Sequence, residues 1–288
     1  MENWGLEFEL GWKSHIKDFK YGIRANASYL HNKLVKLGTA SGSAIYESAG
    51  ASGVGDFVKG QDGMIWPFFF GYKTNGLFQN AQEVASYVNT KGEMMQAEAK
   101  PGDVRFVDTN NDGTIDSNDR VKIGKGMPDW TYGFTITGEW KGFDLNLLFQ
   151  GTIGNDIFDF SQRGDIPRMN RPSWILDRWH GEGTSNSIPR MTSANPNKNW
   201  RSSDLYIKNG NYIRLKTAQL GYTLPQRLTT KFSVQNLRLF VSAENLLTLT
   251  GYNGFDPEVA SGGYTTIGID RGVYPQSRTI SIGANITF

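Results

Sequence analysis

The sequence contains no cysteine among its 288 residues. This absence excludes disulfide bonds, thiolate catalysis and cysteine-ligated zinc sites. Histidine is scarce as well, since only His15, His31 and His180 are present, and their separations give no pair with metal-ligand spacing. Neither charge sign is in clear excess, because 30 basic residues accompany 28 acidic ones. The chain therefore lacks the basic excess that is expected of a nucleic-acid-binding protein.

Long apolar runs are also missing, and none approaches the roughly 18 residues that a membrane-spanning helix requires. The first ten residues, MENWGLEFEL, are acidic and start an alternating pattern at once. They contain no basic segment followed by an apolar one, so we do not expect a signal peptide there. The chain is then either cytosolic or a piece of a larger protein.

Alternating apolar and polar residues make up much of what is present. One face of each such segment carries apolar side chains, including Trp4, Phe8, Phe134 and Ile282, and the other face carries polar residues or glycine. This period of two is typical of half-buried β-strands. The alternating segments are 4–12, 19–30, 132–140, 143–149 and 279–288.

The connections between these segments are of two kinds. Lys141 and Gly142 alone separate two strands, which predicts a two-residue hairpin turn, and residues 13–18 predict another short turn. Other connections are very long, at 31–61, 73–129 and 152–210. Short turns at one end, long loops at the other and aromatic residues at strand ends favour an all-β, antiparallel up-and-down transmembrane barrel. A soluble β-sandwich is the alternative interpretation of the same alternation.

Two short helices and one irregular strand complete the pattern. Asn80 followed by Glu83 predicts a capped helix over 80–88, and residues 173–179 predict a second helix inside the longest loop. In the strand 211–224 the apolar residues change parity, which predicts a bulge near Thr217.

The acidic stretch DTNNDGTIDSND, residues 108–119, has oxygen-bearing side chains at alternate positions around Gly113. This spacing fits a twelve-residue calcium loop whose last ligand is Asp instead of the usual Glu. The alternating segments beside it do not predict the helices of an EF-hand, so we expect a structural clip in a loop. A solvated turn cluster, in which Asp and Asn cap their own backbone, is the alternative. The predicted ligands are Asp108, Asn110, Asp112, Thr114 (through its carbonyl), Asp116 and Asp119.

Several longer blocks resemble the SusC/RagA family of TonB-dependent outer-membrane transporters. They are FFFGYKTNGLFQN at 68–80, the acidic loop with its flanks at 99–134, WKGFDLNLLFQGTIGNDIF at 140–158, and the segments 202–225, 237–259 and 274–288. The resemblance extends over residues 1–288 and is densest after residue 60. It implies a 22-stranded barrel in the outer membrane of a Gram-negative bacterium. About eight to ten of those strands fit in this chain, so we expect it to be the C-terminal part of the barrel, without the plug and the N-terminal domains.

The resemblance also implies energised import rather than catalysis. The cargo would be an oligosaccharide or a peptide, a SusD-like surface lipoprotein would cover the barrel, and the TonB complex would act through the absent N-terminal part. The terminal Phe288 would serve as a signal for barrel assembly. Because aromatic rings stack on sugar faces, the candidate substrate contacts are Trp66, Phe69, Tyr72, Trp174, Trp179 and Trp200. Two alternatives stay open, a passive outer-membrane pore and a soluble calcium-dependent carbohydrate-binding β domain.

Overall fold

The computed structural model describes residues 1–38, 44–47, 54–161, 170–259, 263 and 265–288. In chain order its strands are β1 (Glu2–Ile16), β2 (Phe19–Lys33), β3 (Ile45–Glu47), β4 (Val58–Gly60), β5 (Phe68–Gly71), β6 (Thr74–Leu77), β7 (Val104–Phe106), β8 (Val121–Gly124), β9 (Trp130–Trp140), β10 (Phe143–Ile153), β11 (Asp156–Asp159), β12 (Ile207–Asn209), β13 (Tyr212–Thr223), β14 (Asn236–Thr250), β15 (Ile269–Asp270) and β16 (Thr279–Thr287). The helices are α1 (Ala81–Ser86) and α2 (Gln226–Thr229), and 3₁₀ turns occupy Ser117–Asp119, Ser173–Asp177, Asp204–Tyr206 and Thr230–Phe232.

Seven long strands form one antiparallel sheet in the order β1-β2-β9-β10-β13-β14-β16. Its order follows the chain, with each strand next to the previous long one, as an up-and-down arrangement requires. The all-β fold expected from the alternating segments is therefore confirmed. Among the described residues, seven strands belong to this sheet where eight to ten were expected, and the other nine strands are short and belong to three small sheets in the loops.

The long sheet has one apolar and one polar face. Register pairing places Leu10 opposite Ala25, Ala25 opposite Phe134 and Phe134 opposite Phe149, so apolar side chains line up from strand to strand. On the apolar face Trp4 and Phe8 are each 52% exposed and Ile282 is 84% exposed. A soluble sandwich would bury these side chains against a second sheet, and the described residues form no such layer over this face.

The short turns lie at one end of the sheet. Strands β1 and β2 are joined by Lys17 and Asp18 alone, which makes the predicted turn at 13–18 shorter than expected. The predicted hairpin at 141–142 is confirmed, with φ of 48° at Lys141 and 89° at Gly142. The predicted bulge is also confirmed, because pairing skips Lys216 between Leu215 and Thr217.

The three long connections, 34–129, 154–211 and 251–278, all leave from the opposite end and pack together. We name them the first, second and third loops. Parts of the connections expected at 31–61 and 152–210, namely 39–43, 48–53 and 162–169, lie outside the described residues. The described parts hold a shared core to which all three loops contribute: Val54, Phe57, Val58, Phe69, Phe158, Phe160, Trp200, Tyr206 and Ile269.

Small sheets and short helices stiffen the loops. Strand β15 of the third loop pairs in parallel with β11 of the second loop, which joins the two through backbone hydrogen bonds. Helix α1 begins after Asn80, whose side chain accepts a hydrogen bond from the Glu83 amide, so the predicted N-cap is confirmed. The helix predicted at 173–179 is a 3₁₀ turn over Ser173–Asp177. Within the described residues, every helix is too short and too polar to cross a lipid bilayer.

Candidate functional site

The structure does not bring the six aromatic residues predicted to contact substrate into one site. Phe69 is only 2% exposed and packs against Phe158 in the shared core, so it cannot reach a ligand as the sequence suggested. Tyr72 packs its ring edge against Phe106, with ring centres 5.6 Å apart. Trp179 packs against the small cluster around that same phenylalanine. These three rings hold the loops together.

Trp66 lies at the root of the first loop, where it is bonded to the end of β2. Its backbone amide donates a hydrogen bond to Oδ1 of the buried Asn32, and the Nδ2 amide of Asn32 donates to the Trp66 carbonyl. Its ring covers Gly60, where any Cβ would lie 1.8 Å from the indole. The close approach assigns Trp66 to the packing between β2 and the first loop.

Trp174 and Trp200 do come together, in an open cleft of about 660 Å³ between the second and third loops. Trp200 is 8% exposed, since most of its ring lies in the shared core. The third loop adds Tyr252 and Phe255 to this cleft, and Phe255 is 69% exposed. Sequence reasoning missed both, although they lie in the block 237–259, because only the fold brings them beside the tryptophans.

Two tyrosines shape the cleft through their hydroxyl groups. Tyr206 donates to the Trp200 carbonyl over 2.9 Å and stacks on Phe158. The Tyr252 hydroxyl donates to Oδ2 of Asp270 over 2.5 Å. Burial, this hydrogen bond and the negative charges nearby raise the pKa of Tyr252 far above its ordinary value. Its hydroxyl therefore stays protonated and keeps donating to Asp270.

A buried ion-pair network ties the third loop to the polar face of the sheet. Arg214 on β13 is 2% exposed and donates to Oδ1 of Asp256 over 2.5 Å and to Oε2 of Glu258 over 2.8 Å. Lys216 donates to the same glutamate over 2.9 Å. Burial alone would raise the pKa of Asp256, but hydrogen bonds from the Gln276 amide and from Arg214 lower it. We call these four charged residues the Arg214 clamp.

The acidic loop folds around its own side chains. Asp108 Oδ2 accepts from the Gly113 amide over 2.8 Å, where Gly113 has a φ of 87°. Asp112 accepts from the Thr114 amide and hydroxyl. Asp119 is fully buried and accepts from the amides of Thr109 and Asp116. These contacts are those of the turn cluster that was the alternative to a calcium loop.

One carboxylate oxygen in this loop is not explained by a self-capped turn. Asp108 Oδ1 is buried and has no hydrogen-bond partner, which is costly for a carboxylate unless something else meets it. However, the described residues contain no group of three or more acidic or histidine side chains that could hold a metal ion. The predicted ligands Asn110 and Asp116 are directed to local bonds with Asp112 and Asn118. The calcium site therefore stays a prediction, supported by Asp108 alone.

Phe288 lies just beyond the end of β16, on the apolar side of the sheet, and is 80% exposed. Its predicted role in assembly also stays a prediction.

The chain is similar in sequence to known TonB-dependent receptors. No family model matches the chain. The TonB-dependent receptor P3 of Formosa agariphila is 32% identical over 302 residues, a match that covers all of this chain and 29% of the receptor. The TonB-dependent receptor SusC of Bacteroides thetaiotaomicron is 25% identical over 290 residues, covering all of this chain and 26% of that protein. The chain thus spans less than a third of the length of these relatives.

The fold is similar to solved structures as well. The RagAB peptide importer in its open-open state superposes with a TM-score of 0.72 at 20% identity, covering 99% of this chain and 28% of the solved one. A second structure of RagAB, in its closed-closed state, gives the same TM-score. The sheet and its loops thus have the fold of part of a RagA barrel. Together with the sequence matches, this shows that the chain is similar along its whole length to part of the TonB-dependent receptors of the SusC/RagA type.

Proposed function

We propose that this chain forms part of an outer-membrane importer that takes up oligosaccharides with energy delivered through TonB. The single observation that carries the proposal is the seven-stranded sheet with its two unlike faces. An apolar face suits contact with lipid hydrocarbon, and a polar face suits a wet interior. The three long loops, gathered at one end, would meet the substrate outside the cell.

A soluble carbohydrate-binding domain accounts less well for the sheet. Leu10 is 76% exposed and Trp12 is 63% exposed on a face that is apolar across seven strands. Monomeric soluble proteins rarely expose such a large contiguous apolar surface. Burial of this face in lipid accounts for it without a second layer.

An oligosaccharide is favoured by the cleft that contains Trp174 and Trp200, because aromatic faces offer apolar surface to the CH groups of sugar rings. The solved RagAB complex is a peptide importer, so a peptide is the competing cargo. A SusD-like lipoprotein is proposed as the partner that covers the loops, on the basis of the SusC/RagA relatives.

Uptake by the intact receptor tests the proposal. Cells that carry the receptor and its lipoprotein partner would be supplied with labelled hexasaccharides or with labelled peptides. We expect oligosaccharide uptake that stops when TonB is deleted or when the partner is removed. Uptake that continues without TonB would instead identify a passive pore. Uptake of peptides alone would overturn the assignment of oligosaccharides as the cargo.

We also propose that Ca²⁺ stabilises the acidic loop 108–119 as a structural clip. The support is the buried, unpartnered Oδ1 of Asp108 beside a run of further oxygen donors. The ion would neutralise carboxylates that repel one another and would stiffen the first loop. It would have no part in moving substrate.

A further inference from the structure

The cleft between the second and third loops has one wall, formed by Phe255, that was not among the predicted substrate contacts. Phe255 of the third loop is 69% exposed although it lines a cleft whose other rings are largely covered. Trp200 is 8% exposed and Tyr252 is 5% exposed. Phe255 thus faces the same cleft as the buried rings of Trp200 and Tyr252 and is far more accessible than either.

The polar groups of the cleft suit hydroxyl-rich ligands. Asn253 is exposed and makes no hydrogen bond to any described residue, so both its amide donor and its carbonyl acceptor are available. Lys208 uses one donor on the Leu205 carbonyl at 3.2 Å and keeps two more. Pairs of hydroxyl groups on a sugar need such a mixture of donors and acceptors beside an apolar surface.

The Arg214 clamp fixes the wall that carries Phe255. Asp256 follows Phe255 directly in the chain and is held by Arg214, while its second oxygen accepts from the Gln276 amide over 2.9 Å. The clamp thus joins the start of the third loop, its return segment and strand β13. A ring next to such an anchor loses little further freedom when a ligand arrives, which favours binding.

We propose that this cleft is a binding subsite for a sugar ring of an oligosaccharide, with Phe255 as its stacking wall and Arg214 as the positioning residue behind that wall. The inference rests on the proposed function and specifies where the cargo is held. It adds two residues to the site: Phe255 touches the sugar, and Arg214 acts through Asp256, the neighbour of Phe255.

Binding measurements on the intact, purified receptor test the stacking wall. The probes are neutral and acidic hexasaccharides, with binding followed by calorimetry. We expect Phe255→Ala to weaken binding of the preferred hexasaccharide by about three- to tenfold, the range for loss of one ring contact. Tyr274→Ala is the matched control, since Tyr274 belongs to the same loop, is 87% exposed and does not line the cleft. We expect this control to bind like the wild type.

A double mutant tests the positioning role of the clamp. If Arg214 and Asp256 act through Phe255, Asp256→Ala weakens binding, but adding it to Phe255→Ala causes less than about a twofold further loss. Fully multiplied losses would overturn the positioning role. The melting temperature of each variant would show whether the loops stay folded, and Glu258→Gln offers a milder change in the same clamp if Asp256→Ala unfolds them.

The remaining outcomes separate this inference from the proposed function. Oligosaccharide uptake by the wild type with equal binding by the Phe255 and Tyr274 variants would overturn the subsite and leave the importer standing. Failure of the wild type to bind any hexasaccharide would overturn both. Protection of the Phe255→Cys variant from a water-soluble thiol reagent in the ligand-free receptor would show that another segment covers the cleft, and would also overturn the subsite.

Discussion

Asp103 of the first loop and Arg190 of the second loop form a two-pronged ion pair. Nε of Arg190 donates to Oδ1 of Asp103 over 2.7 Å, and a terminal nitrogen donates to Oδ2 over 3.1 Å. Asp103 is fully buried and also accepts from the Asn199 side-chain amide over 2.9 Å. One carboxylate thus joins distant parts of the two loops.

Replacement of Asp103 by alanine is expected to destabilise the packed loops by about 3–5 kcal/mol, because it leaves Arg190 and Asn199 without their partner in a buried setting. Protease resistance of the loops in increasing urea measures the loss. Glu139→Gln is the control, since its pair with Lys20 at 3.3 Å is largely exposed, and such pairs contribute about 0–1 kcal/mol. Equal losses in the two variants would contradict the assigned role.

Arginine substitutions on the two faces of β2 and its neighbour β1 should have unlike effects. Leu10 lies near the middle of β1 on the apolar face, so Leu10→Arg is expected to destabilise the membrane-inserted receptor by about 2–4 kcal/mol. Asn26 lies opposite Glu9 on the polar face, and Asn26→Arg should be tolerated. Urea-dependent unfolding in lipid vesicles compares them. A polar-face variant that is as damaging as Leu10→Arg would show that the faces are assigned wrongly.

The hairpin at 141–142 requires glycine at its second position. At Gly142 φ is 89° and a Cβ would lie 2.8 Å from the Thr223 carbonyl oxygen. Gly142→Ala is therefore expected to cost about 1–2 kcal/mol of stability. Gly11→Ala serves as the control, because a Cβ there meets no atom within 4 Å. Thermal unfolding of the receptor would measure both, and an unchanged melting temperature for Gly142→Ala would contradict the expectation.

Calcium should raise the melting temperature of the intact receptor if the acidic loop binds it. A free ion concentration one hundred times the dissociation constant would stabilise the folded state by about 2.7 kcal/mol. Asp108→Asn should abolish this effect, whereas Glu98→Gln, an exposed acid outside the loop, should keep it. A melting temperature that is the same in calcium and in chelator would leave the loop as a self-capped turn.

Local sequence pattern predicted six of the seven strands of the long sheet, whereas β14 was not among the predicted strand segments. Alternation, the Lys141–Gly142 turn and the parity change near Thr217 all depend on neighbours in the chain, and each was found where predicted. The Asn80 cap is local in the same sense. In the six predicted strands only the ends moved, because pairing with a neighbour extends a strand beyond its own alternation.

The loops could not be predicted in this way, because their contacts join residues far apart in the chain. All four residues of the block 68–71 are buried, so exposed and buried positions do not alternate there. The sequence therefore provided no sign that Phe69 is buried, because its contact with Phe158 comes from the second loop. The Arg214 clamp did leave a trace in the sequence, since two cations two positions apart on β13 match two acids at 256 and 258, but no local rule pairs them.

The parallel pairing of β15 with β11 has a mechanical consequence. Phe158 lies opposite Ile269 and Asp159 opposite Asp270, so main-chain bonds fasten the third loop to the second. Because these bonds join main chain to main chain, we expect a displacement of one loop to displace the other. Any conformational change at this end of the protein would have to move the second and third loops together.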